Sequence, residues 1–434
     1  AKRIGGIESD AAERIAVDGN YIYLTGYFFG TSDFDPGPGS VNLSSAGVGD
    51  LFVAHYTASG DYVWAKRIGG TGGDGGLGLV LDGSSNLYLT GLFSTANVDF
   101  DPGPGTAELS ANGGNDPFIL SLSATGTYNW AINWGEYGLQ PGSMACSAIA
   151  RDASGNVYAT GYFNGTKIDF DPGVGVANMT SIGGGDIFIA KYDAAGNYLW
   201  CKRVGGTDQD WAYGLALDAT GNVYLTGIFG STVDFDPGAG SANLTSAGQL
   251  DVFLAKYDPF GNYLWVRSIG GPNSDLGYDL AVDGTGNVHI TGVFEGINID
   301  FDPGGGTANL SSNGQDIFIA QYDALGNYQW AKRMGGTDDE TSKSIYLDES
   351  GNHYITGYFG GTADFDPGAG VANLSSAGQL DIFFAKYDAV GNYLWAKRIG
   401  GPDNDQSLSV NLDGSGNVLI SGGFKSTNVD FDPN

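Results

Sequence analysis

Between Trp211 and Trp265 the chain alternates apolar and polar positions with a period of two. WAYGLALD is apolar with a polar end, ATGN turns, and NVYLTG follows. After a long connection, IFGSTVDFDPGAGSANLTSAGQL, the stretch DVFLAKYD alternates, PFGN turns, and NYLWVRSIGG alternates again. Val, Ile, Tyr, Phe and Leu are enriched, and no ten-residue stretch carries a helical period. The pattern therefore predicts β-strands. The short D-x-x-G-N links read as hairpin turns, because Gly supplies the positive φ that such turns demand. One unit is thus a four-stranded antiparallel meander with strands A (GLALD), B (NVYLTG), C (VFLAKYD) and D (NYLWVRS).

The unit recurs. DFDP begins at Asp33, Asp99, Asp169, Asp234, Asp300, Asp364 and Asp430, at intervals of 64 to 70 residues. Strand A closes on Asp18, Asp82, Asp152, Asp218, Asp283, Asp348 and Asp413, and strand D carries Trp64, Trp130, Trp200, Trp265, Trp330 and Trp395. Four strands per unit, repeated at a fixed period, describe a β-propeller. Seven A strands predict an all-β, seven-bladed propeller over residues 1–434, with A–B units near 12–26, 76–91, 145–161, 212–227, 277–292, 343–357 and 407–422. Six tryptophans for seven A strands make one blade incomplete. Ala1 starts in mid-repeat, so the expectation is that sequence beyond one end completes that blade.

The segments AKRIGGT-x-x-D, GLALDATGNVYLTG and DIFIAKYDAAGNYLW resemble the bacterial SBBP repeats, named for a seven-bladed β-propeller. The resemblance extends over nearly the whole chain. It implies the fold and a large secreted or surface-displayed bacterial protein, and it implies no defined activity.

Charge narrows the partners. The net charge is −30, with 49 acidic residues against 19 basic ones. That disfavours nucleic acid, which needs clustered Lys and Arg, and favours cations, basic surfaces or neutral glycans. No window resembles a membrane-spanning helix. Gly reaches 74 residues, far above the average share of about 7%; beside so many aromatics it is turn punctuation. Cys146 and Cys201 fall on the first and last strands of one blade. About three strand spacings, roughly 14 Å, part those strands, too far for a disulfide.

In a meander the B–C and D–A connections share one end of the blade. DFDP lies in the B–C connection. The D–A connections carry Glu8 and Asp10, Asp74, Asp208 and Asp210, Asp275, Asp338, Asp339 and Glu340, and Asp403 and Asp405, and strand C opens with Asp50, Asp116, Asp186, Asp251, Asp316 and Asp381. An acidic face results, with Lys and Arg concentrated in the outer strand D. In DFDP the two carboxylates point to one side and the Phe to the other. Asp before Pro-Gly is ordinary turn chemistry. The sharper reading is calcium, a hard cation taking six to eight oxygens. Its ligands would come from Asp33 and Asp35, Asp99 and Asp101, Asp169 and Asp171, Asp234 and Asp236, Asp300 and Asp302, Asp364 and Asp366, and Asp430 and Asp432, with the strand-C Asp of the same blade as a third acid. The A-strand aspartates read as turn caps.

Catalytic signatures are missing. His55, His289 and His353 fall in different blades at scaffold positions, and no G-x-S-x-G, H-E-x-x-H or P-loop pattern is present. Departures from the repeat are the better ligand candidates. The long connection NWGEYGLQPGSMA presents Trp134, Glu136 and Tyr137, and Trp211 adds an aromatic to the next blade. Such rings stack on sugars. The sequence favours a non-enzymatic, extracellular or bacterial cell-surface binding module of an adhesin or larger assembly, engaging protein or glycan at its acidic face. A carbohydrate-active enzyme on the same scaffold is the alternative.

Overall fold

A computed structural model describes residues 1–111, 114–135, 144–426 and 429–431. Every regular element among them is a β-strand. Two compact units divide the chain: Ala1–Arg203 with Asn411–Ser421, and Val204–Val410 with Gly422–Asn434. Each holds three four-stranded antiparallel blades in the order A-B-C-D.

The fourth blade shows how sequence makes the sheet. Its strands are Trp211–Leu217, Val223–Phe229, Asp251–Tyr257 and Tyr263–Ile269. Strand B is buried throughout, and VYLTGIF accordingly carries no charged residue. The Thr-Gly pair in strand B has two separate causes. Thr226 is fully buried, and its hydroxyl donates to the Phe253 carbonyl at 2.8 Å. Gly227 faces a bulge in strand A between Ala212 and Gly214, and a Cβ there would lie 2.0 Å from the Trp211 carbonyl oxygen. Only glycine admits so close a backbone approach.

Both hairpin turns are built by one aspartate. At the A–B turn, Asp218 accepts from the Thr220 amide at 2.9 Å, the Asn222 amide at 3.0 Å and Asn222 Nδ2 at 2.8 Å. Asp258 does the same at the C–D turn. These carboxylates are turn caps, as their sequence context indicated.

Tryptophan fastens one blade to the next. Trp265 Nε1 donates to the Ala324 carbonyl of the following blade at 3.1 Å. Its ring packs on Gly326, whose φ of +77° and missing Cβ suit the turn and the contact alike. Trp64 and Trp130 repeat the bond to Ala124 and Ala194.

The expected seventh blade is not formed. Asp405–Leu412 and Val418–Phe424 make a two-stranded sheet, and the described chain holds six four-stranded blades. Counting A strands and DFDP motifs overcounts, because a blade also needs the D-x-F strand C and the Trp-bearing strand D. Residues 425–434 contain neither segment.

Cys146 and Cys201 lie on strands A and D of the third blade, as free, buried thiols in one apolar cluster. Burial pushes the Cys146 thiol up to about 12, so it stays protonated and inert.

Candidate functional site

The DFDP carboxylates close a small accessory hairpin. Thr232–Asp234 pairs with Asn243–Thr245 as a two-stranded sheet outside the blade, and four further copies do likewise; the copy Thr362–Asp364 with Asn373–Ser375 is joined to strand D of the fifth blade through Gly335 and Gly336. In each, the first aspartate accepts two backbone amides through one oxygen. Asp234 Oδ1 takes Asp236 N at 3.1 Å and Ala242 N at 2.8 Å. Asp33, Asp99, Asp169, Asp300 and Asp364 repeat both bonds. The second aspartate accepts from the glycine two residues on, as Asp236 does from Gly238 at 2.8 Å. Asp35, Asp101, Asp171, Asp302 and Asp366 do the same.

The phenylalanine between them drives the hairpin home. Phe34, Phe100, Phe170, Phe235, Phe301 and Phe365 are all buried. Each is edged against a strand-B Phe and a strand-C Phe, as Phe235 is against Phe229 at 5.5 Å and Phe253 at 5.2 Å. A strand-C tyrosine locks its backbone: Tyr257 Oη donates to the Phe235 carbonyl at 3.1 Å. The opening residue of the last copy, Asp430, bridges Gly400, while Asp432 lies outside the described residues.

The strand-C aspartates do not join these loops. Asp50, Asp186, Asp316 and Asp381 are fully buried and paired with Arg67, Arg203, Arg333 and Arg398 of strand D. The strand-D arginines are thus internal counter-charges as well as rim residues. Among the described residues no three His, Cys, Asp or Glu side chains gather where they could hold a metal ion.

At three junctions a second buried acid stands near the strand-C aspartate where the next blade begins: Asp74 near Asp50, Asp275 near Asp251 and Glu340 near Asp316. In the junction of the fourth and fifth blades it is Asp275. Its amide donates to the Leu250 carbonyl, and its carboxylate accepts from the amides of Gly271 at 2.7 Å and Glu295 at 2.9 Å. This junction lacks the arginine: Ser268 stands in its place, and Arg267 turns to the carbonyls of Leu325 and Gly326. Burial then raises Asp251 to about 6. Burial, with the nearby Asp251 and Glu295 charges, raises Asp275 to about 7.

Two of the three histidines converge, which scaffold positions in separate blades had not suggested. His353 Nε2 lies 2.7 Å from His289 Nδ1, and both side chains are buried. His353 Nδ1 faces the Asp388 carbonyl at 2.9 Å, so it carries the proton. His353 Nε2 then accepts, His289 Nδ1 donates, and His289 Nε2 is left bare 3.6 Å from Asp283. Burial lowers both imidazoles, His353 to about 4. The available signal was the register. His289 replaces the tyrosine of a recurrent Asp–Tyr–Lys trio, seen as Asp218, Tyr224 and Lys256, and Gln321 replaces the lysine. His55 instead stacks on Tyr23 at 4.3 Å.

The aromatic candidates separate. Trp134 is 2% exposed and packs against Phe170, Phe188 and Tyr192 at 5.8 Å each, filling the place that Ile68 has in the first blade. It is core. Glu136 and Tyr137 lie outside the described residues. Trp211 is half-buried and joins other rings: Tyr213 at 6.4 Å, which in turn meets Tyr278 at 5.7 Å.

Six blades of one repeated plan define the class: an all-β propeller with a polar network spent on turns and junctions. Residues 264–293 match the family model of the SBBP β-propeller repeat. An uncharacterized WD repeat-containing protein of Acanthamoeba polyphaga mimivirus is 24% identical over 99% of this chain and 36% of its own length. The regulatory protein FlaEY of Caulobacter vibrioides is 28% identical over 45% of this chain and 20% of its own. The chain therefore spans about a third or less of the length of these relatives. Among solved structures, the Pan2 WD40 domain of Neurospora crassa is 11% identical, with a TM-score of 0.41 over 96% of this chain and 90% of that one. A Bacteroides caccae protein of unknown function is 11% identical, with a TM-score of 0.37 over 80% and 89%.

Proposed function

We propose that the chain is a non-enzymatic binding module, displayed outside a bacterial cell as part of a longer protein. One observation carries this reading: the polar groups that might do chemistry are occupied by structure, in near-identical fashion, blade after blade. The DFDP aspartates hold amides. Four of the six strand-C aspartates hold arginines. The paired histidines hold each other and a carbonyl. A hydrolase or lyase needs unlike groups converging on one reacting centre, and near-equivalent blades suit repeated contacts instead. The resemblance to bacterial surface repeats supports the location.

The test is retention against turnover. The protein is passed over immobilised polysaccharides and over bacterial cells, and released reducing ends or unsaturated products are measured in parallel. Retention without product supports a binding module. Product release that one single-residue variant abolishes would make it an enzyme.

A further inference from the structure

The strand-A bulge recurs in all six blades, and the bulged residue changes character between the units. In the first unit it is Glu13, Leu77 and Ser147. In the second it is Tyr213, Tyr278 and Lys343. A bulge re-aims a side chain out of the ordinary alternation, and bulges are common beside functional sites. Strands A of these three blades lie next to one another: the Ile345 amide donates to Asp279 Oδ2 at 3.0 Å. The re-aimed side chains therefore meet. Trp211 stands 6.4 Å from Tyr213, Tyr213 5.7 Å from Tyr278, and Lys343 Nζ lies 3.5 Å above the Tyr278 ring and 5.9 Å from Tyr358. All five side chains are half-buried, so each keeps a solvent-facing part. Burial raises Tyr278 to about 12, and its hydroxyl stays a neutral donor and acceptor.

We propose that Trp211, Tyr213, Tyr278, Lys343 and Tyr358 form a binding platform for a neutral oligosaccharide. This rests on the reading of the chain as a binding module and names the ligand class for one place on it. Rings from three blades, edge-to-face at Trp211–Tyr213 and tilted at Tyr213–Tyr278, offer C–H contacts to sugar units on the faces that Lys343 leaves uncovered. The tyrosine hydroxyls and the Lys343 ammonium, held on a ring by cation–π attraction, donate to sugar hydroxyls. The net charge of −30 opposes a polyanionic glycan. No covalent step is involved.

The experiment uses the whole chain and a fixed probe set: hexaoses of cellulose, xylan, mannan, laminarin and chitin, with hexagalacturonate as the acidic control. Binding is read by calorimetry, and by quenching of tryptophan fluorescence against a Trp211→Phe variant. At least one neutral hexaose binds, Tyr278→Ala and Tyr213→Ala each weaken it by about tenfold, and their melting midpoints stay close to wild type. Ser147→Ala, at the matching bulge of the first unit, leaves binding unchanged. Binding of none of the neutral hexaoses, of hexagalacturonate alone, or with equal affinity in Tyr213→Ala and Tyr278→Ala overturns the proposal. Retention on cells or polysaccharide without turnover, together with any of those results, would leave the binding-module reading standing and remove only this platform.

Discussion

Replacing Ser268 with arginine should stabilise the protein at pH 8 and do much less at pH 5. The substitution restores the residue that Arg67, Arg203, Arg333 and Arg398 provide in four other blades. In the fourth blade Asp251 is 1% exposed and Asp275 fully buried, with no guanidinium at hand. Their carboxyls sit at about 6 and about 7, burial being the main cause. Unfolded, both would titrate near 3.9. The folded chain therefore binds more protons than the unfolded one between about pH 4 and pH 7. Stability contributed by these protonated acids is present at low pH and is lost as pH rises through the folded values. Two pKa units on Asp251 alone correspond to about 3 kcal/mol at pH 8. Desolvating a new guanidinium offsets part of that, leaving a gain of roughly 1–2 kcal/mol. For a unit of this size that is a rise of about 2–8 °C in melting midpoint. Thermal melts of wild type, Ser268→Arg and the uncharged Ser268→Gln at pH 5 and pH 8 decide it. An arginine gain equal at both pH values, or matched by glutamine, refutes the charge argument.

Three further outcomes are expected. The double substitution His289→Tyr with His353→Val restores residue types found at these positions in other blades, such as Tyr224 and Val223. His353 folds with its imidazole near 4, below the unfolded 6.5, so its contribution is full above pH 6.5 and falls away toward pH 4, by up to about 3 kcal/mol. The double variant should lose less urea resistance than wild type between pH 7 and pH 4.5; an unchanged difference would show that the pair does not titrate as described. Tyr257→Phe removes the hydroxyl that satisfies the Phe235 carbonyl and should cost about 1 kcal/mol in chemical denaturation, whereas no loss would mean water takes over the bond. EDTA should leave the melting midpoint unchanged, because backbone amides already engage the DFDP carboxylates; a midpoint that falls on chelation and returns with Ca2+ would place an ion on those loops.

Strands, turns and the repeat were legible from residues alone, because each is decided within a few positions. Period-two patterning sets a strand, and Asp-x-x-Gly-Asn sets its turn through one carboxylate. The burial of Phe235 likewise follows from alternation beside two polar aspartates. Blade number was not legible, since motif counting follows strand A while a blade is a pairing of four strands up to 60 residues apart. Trp134 looked like a loop aromatic and is core; two of the three histidines, His289 and His353, proved to be a pair; arginines read as an outer rim reach buried carboxylates. Each of these depends on which side chains from distant segments are brought within a few ångströms, and local pattern carries no record of that. The same holds for the Trp211–Tyr358 row. Its residues look like scattered substitutions in three repeats, and only the bulges and the side-by-side packing of successive A strands align them.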